Sequence, residues 1–136
     1  MTEGNNFNQQ MIEQFRANGN RLEFGPTSLL LLTTTGAKTG VERVTPLAAF
    51  DADGTLFVIA SYAGAPANPA WFRNLVAQPT VTVEFGGEKF TATAHVAPPD
   101  ERDRLFEYAV ERVAQFGEYQ AKTKRTIPIV TLERVS

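Results

Sequence analysis

The segment SLLLLTTTGAKTGVERVTPLAAF, residues 28–50, decides the fold class of this chain. Its first eight residues are apolar, β-branched or small and predict a buried strand, GAKTG predicts a turn, and VERVTPLAAF predicts a second strand. The lysine and threonine between glycines raise one alternative, a P-loop, which needs an upstream glycine and a following helix. Leucines occupy the upstream positions and Pro46 lies in the downstream segment, so a P-loop is excluded and a β-hairpin is predicted.

The rest of the chain extends this pattern of short strands. Alternation of apolar and polar residues predicts further strands at residues 55–62, 80–85, 88–97 and 125–135. Helical spacing predicts helices at residues 7–18, 69–77 and 103–116. Asn68 is expected to cap the second helix, and Gly117 is expected to end the third, with Tyr119 in a polar turn after it.

About six mostly antiparallel strands in so small a chain would leave open edges in a flat sheet. A closed or split β-barrel with flanking helices removes those edges, so the fold class is mainly β, within α+β. The 136 residues are expected to form one domain. In it, residues 1–20 hold an amphipathic helix and residues 27–136 form the barrel.

Composition excludes several classes of function. Fifteen acidic and 13 basic residues give a net charge of -2, which does not indicate nucleic-acid binding, so an anionic ligand must be held by local positive charge. The absence of cysteine excludes disulfides, iron–sulfur clusters and thiolate ligands, and a single histidine excludes a multi-histidine metal site. His95 lies in the alternating stretch TATAHVA, which predicts a half-exposed strand position.

The N-terminal segment indicates where the protein resides. It is polar, without the apolar stretch of a signal peptide, and no apolar run approaches the ~20 residues that cross a bilayer. A cytoplasmic location is therefore expected. Phe7, Met11 and Phe15 form the apolar face of the first helix, which has two open roles: covering the core, or contacting a membrane surface.

Two groups of residues have the pattern of a binding site. Lys38 and Arg43 flank Gly40, and a glycine-rich turn lets backbone N–H groups approach an anion. The second group spans residues 60–64 and continues to Asn68, Trp71 and Asn74 at a helix N-terminus, where the helix dipole favours an anion. Taken alone, a lysine in a turn is usually solvated and a tryptophan on a helix is usually in the core, so both interpretations stay open.

Three blocks, LLLTTTGAKTGVERVTPL, ASYAGAPANPAWFRNLVAQPTVTVE and EYQAKTKRTIPIV, carry a resemblance to a known family. In this order they resemble the deazaflavin-dependent nitroreductases, which use reduced coenzyme F-420, an 8-hydroxy-5-deazaflavin. The family fold is a split β-barrel of the FMN-binding type, in agreement with the strand pattern. The resemblance implies a coenzyme F-420-dependent reductase. The alternatives are an FMN-dependent split-barrel oxidoreductase and a non-catalytic deazaflavin carrier.

The resemblance also implies roles for individual residues. The anionic tail of the coenzyme would contact Lys38, Thr39, Gly40 and Arg43, and the path to the ring would be lined by Pro46 and Leu47. The deazaflavin would be bordered by Ala60, Ser61, Tyr62 and Gly64, with Asn68, Trp71 and Asn74 completing the site. Tyr119, and after it Ser61, would donate a hydrogen bond to the acceptor.

A departure from the family bears on the substrate. Members that activate nitroimidazoles carry tyrosines at positions matching Ala48, Val113, Phe116 and Tyr119, and only Tyr119 is a tyrosine here. The pocket is therefore expected to be apolar and poor in hydrogen-bond donors. Quinones, enones and unsaturated lactones are expected as acceptors ahead of nitroimidazoles.

Overall fold

The computed structural model describes residues 3–24 and 27–135, with the backbone alone for residues 3–7 and Phe24. Its helices are α1 (Glu3–Ala17), α2 (Ala70–Ala77), α3 (Pro99–Arg112) and α4 (Gln115–Ala121). Its strands are β1 (Glu23–Phe24), β2 (Thr27–Thr35), β3 (Glu42–Ala52), β4 (Thr55–Ile59), β5 (Thr80–Phe85), β6 (Glu88–Val96) and β7 (Ile129–Arg134). A single 3₁₀ turn, Tyr62–Gly64, follows β4.

The strands form the predicted barrel. Their order is β2-β3-β4-β7-β6-β5, and β5 pairs back with β2, so six antiparallel strands close on themselves while the short β1 extends β2 at one end. Leu30, Leu32, Val58, Val83 and Val130 lie in the interior cluster and are fully buried. Closure pairs the strand edges that a flat sheet would expose.

The leucine run of β2 is continuous because both faces of this strand are covered. Leu30 and Leu32 point into the barrel, whereas Leu29 and Leu31 point outward and pack under α1 against Ile12 and Phe15. A strand buried on both faces has no polar side, and its sequence loses the alternation of a half-exposed strand.

Helix α1 is fixed to the barrel wall by its apolar face and by one ion pair. Ile12 and Phe15 are buried, so the described part of this face covers the barrel, while the side chain of Phe7 lies outside the described residues. Arg16 donates to both carboxylate oxygens of Glu84, at 3.0 and 2.7 Å. None of the described helices combines the length and the apolar character that crossing a bilayer requires.

Four predicted elements differ clearly from the structure. The first helix begins at Glu3 and not at residue 7. The third strand ends at Ile59 and not at residue 62, because the chain turns into left-handed conformations at Tyr62. The third helix ends at Arg112 and not at residue 116. Gly117 and Tyr119 lie inside α4 and not in a turn, because Phe116 and Tyr119 pack against the core and these tertiary contacts outweigh the low helix propensity of glycine. The last strand starts at Ile129, not at residue 125.

Candidate functional site

The turn between β2 and β3 is closed by its own hydrogen bonds. Gly36 N–H donates to the carbonyl of Val41 at 2.8 Å, and Gly40 N–H donates to the carbonyl of Gly36 at 2.9 Å. A Cβ at position 36 would lie 2.5 Å from Thr39 Oγ1, and Gly40 has φ +72°, so both positions favour glycine.

This closure corrects the expected anion nest. The N–H groups of both glycines are used inside the turn, and the N–H of Ala37 donates to Asn74 Oδ1 at 3.1 Å. Among the described residues, only the backbone N–H groups of Lys38 and Thr39 in this turn are left without an acceptor. An anion at this turn is therefore met mainly by side chains.

Those side chains line a cleft of about 350 Å³ between the turn and the first turns of α2. Lys38 and Arg43 both face it, as their spacing predicted, and Arg73 of α2 joins them. No carboxylate lines this cleft among the described residues, and none lies within 4.0 Å of the three cations. A protein with net charge -2 thus concentrates three positive charges at one place.

The sequence analysis missed Arg73, although its place next to Asn74 on the predicted helix was a usable signal. Its Nη1 donates to the backbone carbonyl of Asn68 at 2.6 Å, which leaves its charge without a partner carboxylate in the described chain. Asn74 links α2 to the hairpin, since its Nδ2 also donates to Thr34 Oγ1 at 3.4 Å. Asn74 therefore positions the cationic turn as well as lining the cleft.

The loop after β4 has an unusual backbone. Tyr62, Ala63 and Gly64 have φ of 47°, 52° and 80°, three consecutive residues in the left-handed region. Each non-glycine residue in that region costs about 1–2 kcal/mol, and such strain concentrates at functional sites. Tyr62 is 58% exposed, although tyrosine usually buries its apolar body.

A half-buried arginine in the segment before β7 holds this loop. Arg125 donates to the carbonyls of Ala60 (3.2 Å), Ser61 (2.8 Å) and Ala65 (2.9 Å) and to Asn68 Oδ1 (2.9 Å). Asn68 is therefore not the N-cap of α2, which starts after Pro69 without a side-chain cap, because its amide oxygen is taken by Arg125. The only sequence signal for Arg125 was its position in the block EYQAKTKRTIPIV.

The same loop lies against α4, which carries Tyr119. A Cβ at Gly64 would lie 2.9 Å from the carbonyl oxygen of Tyr119, so only glycine allows this approach. The ring of Tyr119 packs edge to face on Phe116, with the centroids 6.0 Å apart. The hydroxyls of Tyr119 and Ser61 have no hydrogen-bond partner within the described chain, so both are available as donors on neighbouring elements.

The predicted substrate residues lie at the outer face of the barrel, Ala48 on β3 and the other three on the segment from the end of α3 through α4. Val113, Phe116 and Tyr119 pack against the cluster that contains Phe50, whose ring meets Phe116 edge to face at 5.7 Å. Ala48 is two residues before Phe50 on β3 and so shares its face. Aromatic and aliphatic side chains line this surface. Among the four predicted residues, only Tyr119 has a side-chain hydrogen-bond donor, its hydroxyl.

Three residues predicted at the coenzyme site belong to the barrel interior. Leu47 packs against the interior cluster, Ala60 is fully buried in it, and Trp71 is 8% exposed. Their side chains contribute to the barrel core. Pro46, two residues from Ala48, lies instead on the outer face of β3.

Comparison with known proteins places this arrangement in context. Residues 6–134 match the family model described as F420H(2)-dependent quinone reductase. An F420H(2)-dependent quinone reductase of Mycobacterium tuberculosis is 42% identical over 120 residues, which cover 85% of this chain and 79% of that protein.

Solved structures give the same picture. An F420-H2 dependent reductase superposes with a TM-score of 0.70 at 39% identity, covering 77% of this chain and 93% of that chain. A domain-swapped dimer superposes with a TM-score of 0.74 at 32% identity, covering 96% of this chain and all of the other.

Proposed function

Because the chain belongs to the F420H(2)-dependent quinone reductase family, we propose that it uses reduced coenzyme F-420 to reduce a small quinone. The observation that carries the proposal is the cleft beside the β2–β3 turn, where three cations gather without a carboxylate. Coenzyme F-420 carries a phosphate and an acidic tail, and this cleft has the charge that such a tail requires.

The cleft residues fit the tail of the coenzyme in number and type. Arginine forms paired hydrogen bonds with phosphate and carboxylate oxygens, and lysine acts as a mobile point charge. Arg43 and Arg73 approach from a strand and from a helix, and Lys38 lies at the tip of the turn between them. Together they would hold successive anionic groups of the tail.

The residues proposed to border the deazaflavin ring have a different role, which is to position the acceptor. When bound, the coenzyme supplies a hydride from C5 of the deazaflavin and acts as a two-electron donor. The chain has to hold the acceptor over the ring and stabilise the negative charge that grows on its oxygen. The Tyr119 hydroxyl is the first candidate for that hydrogen bond and the Ser61 hydroxyl the second, because neither has a partner within the described chain.

The residues at the outer face of β3 support this choice of acceptor. Val113, Phe116 and Ala48 offer apolar surface, and Tyr119 adds one hydroxyl. A quinone, an enone or an unsaturated lactone presents a flat apolar body and one or two carbonyl oxygens, which this surface can satisfy. A nitroimidazole buries more polar atoms, and each one without a partner costs about 1–3 kcal/mol. We therefore place quinones first and nitroimidazoles last.

We do not propose a membrane contact. Of the three residues predicted for it, Phe15 is buried against the barrel and Met11 packs against the same cluster, while the side chain of Phe7 lies outside the described residues.

Two titrations and one turnover measurement test the proposal. Trp71 is the single tryptophan, and quenching of its fluorescence reports binding of coenzyme F-420 or of FMN. We expect saturable quenching by coenzyme F-420 and none by FMN. Adding menadione to protein loaded with the reduced coenzyme should then accelerate reoxidation of that coenzyme above the rate without protein.

The two alternatives give different results. Binding of FMN in place of coenzyme F-420 would identify a flavin-dependent oxidoreductase. Binding of coenzyme F-420 with no acceleration by menadione, by an enone or by a nitroimidazole would identify a carrier.

A further inference from the structure

We propose that Arg125 is a positioning residue of the coenzyme site, whose guanidinium holds residues 60–68 in the conformation that presents Ser61 and Tyr62. The inference rests on the proposed function, since it takes this loop to border the coenzyme ring. The role of Arg125 is to hydrogen-bond neutral backbone and amide oxygens, which differs from charge pairing.

The hydrogen bonds of Arg125 show what it holds. Its Nε donates to Ala65, its Nη1 to Ala60 and Asn68, and its Nη2 to Ser61, all within 2.8–3.2 Å. These acceptors begin where β4 ends and stop just before α2, so one planar group fixes both ends of the loop. Four of the five guanidinium N–H groups are used, a geometry that the point charge of a lysine cannot reproduce.

The charge of Arg125 has no carboxylate partner within 4.0 Å among the described residues. All four acceptors are neutral oxygens, and burial lowers the pKa of Arg125. A structural arginine in this protein is held differently: Arg16 forms a bidentate ion pair with Glu84. Arg125 thus keeps a positive charge next to the loop that no carboxylate of the described chain neutralises, so its role is to hold backbone oxygens and not to form an ion pair.

The loop needs such a support because its own backbone is unfavourable. Tyr62 and Ala63 are left-handed without being glycine, and residues in that region persist only where the surroundings determine them. On one side the loop is fixed by Arg125, and on the other Gly64 lies against the backbone of Tyr119. These two contacts set the position of Ser61 relative to Tyr119, the two candidate donors.

The experiment compares Arg125→Lys with Arg16→Lys. Both substitutions keep the charge and remove a multidentate guanidinium, but Arg16 lies between α1 and β5 and makes no contact with residues 60–68 among the hydrogen bonds of the described chain. Arg125→Met provides a second variant that removes the charge as well. Amide hydrogen exchange is measured on the coenzyme-free proteins, and the dissociation constant for purified coenzyme F-420 is measured by Trp71 fluorescence.

We expect the amides of Gly64 and Ala65, which donate to Ser61 and Tyr62, to exchange at least about tenfold faster in Arg125→Lys than in the unsubstituted protein. The dissociation constant for the coenzyme should rise by a factor of at least about ten. In Arg16→Lys both quantities should stay within about twofold, while the melting temperature falls.

Two results would overturn the proposal. Unchanged exchange at Gly64 and Ala65 in both Arg125 variants would show that the guanidinium does not hold the loop. An equal loss of coenzyme affinity in Arg16→Lys would show that Arg125 acts only through global stability. Failure of the unsubstituted protein to bind the coenzyme would instead contradict the proposed function, because the exchange measurement is made without coenzyme.

Discussion

Neutralising one cation of the cleft should weaken coenzyme binding without affecting the fold. The perturbation is Arg43→Gln, which keeps a polar side chain of similar reach on β3. Arg43 is exposed and has no carboxylate partner in the described chain, so no buried charge is left unpaired when it is removed. The substitution therefore isolates the interaction with the ligand.

The expected magnitude follows from the composition of the cleft. One lysine and two arginines give it a charge of +3, and the substitution reduces this to +2. A hydrogen bond to a charged group contributes roughly 1.5–3 kcal/mol, and an exposed site takes the lower end. Since 1.4 kcal/mol is about a factor of ten, we expect the dissociation constant to rise about tenfold at low salt. At about 1 M salt the Debye length is near 3 Å, and the difference should shrink to about twofold or threefold.

The assay is a titration of Trp71 fluorescence with coenzyme F-420 at several salt concentrations. The matched control is Arg104→Gln on α3, which lies outside the cleft and is 65% exposed. Both substitutions change the net charge from -2 to -3, so a general electrostatic effect would appear equally in both. Equal affinities of Arg43→Gln and the unsubstituted protein, or an equal loss in Arg104→Gln, would refute the assignment of the cleft.

Four further outcomes follow from the structure. Tyr119→Phe should lower kcat about tenfold to a hundredfold while coenzyme affinity stays nearly constant, because the hydroxyl acts only when negative charge develops on the acceptor oxygen. Equal turnover would indicate that Ser61 is the donor instead. The unsubstituted protein should have a kcat/KM for menadione about tenfold above that for a bicyclic nitroimidazole, and Phe116→Tyr should narrow this difference by adding a hydroxyl. Comparable kcat/KM values for the two acceptors in the unsubstituted protein would contradict an apolar, donor-poor substrate pocket. Gly64→Ala should lower the melting temperature more than Gly54→Ala. Both glycines have positive φ, but only at position 64 would a Cβ lie 2.9 Å from a backbone oxygen, that of Tyr119. An equal fall in melting temperature in the two variants would mean that the contact between this loop and α4 is loose. The hydrogen bond from Arg16 lowers the pKa of Glu84 and outweighs burial, which raises it, so the ion pair adds stability above the ordinary glutamate pKa of about 4.3 and loses it as the pH falls through the lower pKa of the folded state. In denaturant unfolding between pH 7 and 3, Glu84→Gln should therefore lose less stability at acid pH than the unsubstituted protein. Parallel pH profiles of the two proteins would exclude Glu84 as a source of the acid sensitivity.

Local patterns in the sequence were sufficient to predict the barrel. The hairpin at residues 28–50 forms as β2 and β3, with the turn at its expected position. Hydrophobic period and turn residues act over a few neighbours, so they can be recognised without knowing the tertiary contacts. The same short range explains why Lys38 and Arg43, five residues apart on one hairpin, were expected together and do line one cleft.

What the tertiary structure decided depends on contacts between distant parts of the chain. Arg73 joins the cleft only because Asn74 fixes α2 to a hairpin 37 residues earlier, and Arg125 reaches a loop about 60 residues before it. Tyr119 lies in a helix despite Gly117 because its ring packs against the buried core cluster. This stabilisation comes from tertiary contacts and cannot be read from local helix propensity. Side chains that act through long-range hydrogen bonds leave no periodic signal in the sequence, since their partners are fixed by barrel closure and not by spacing along the chain.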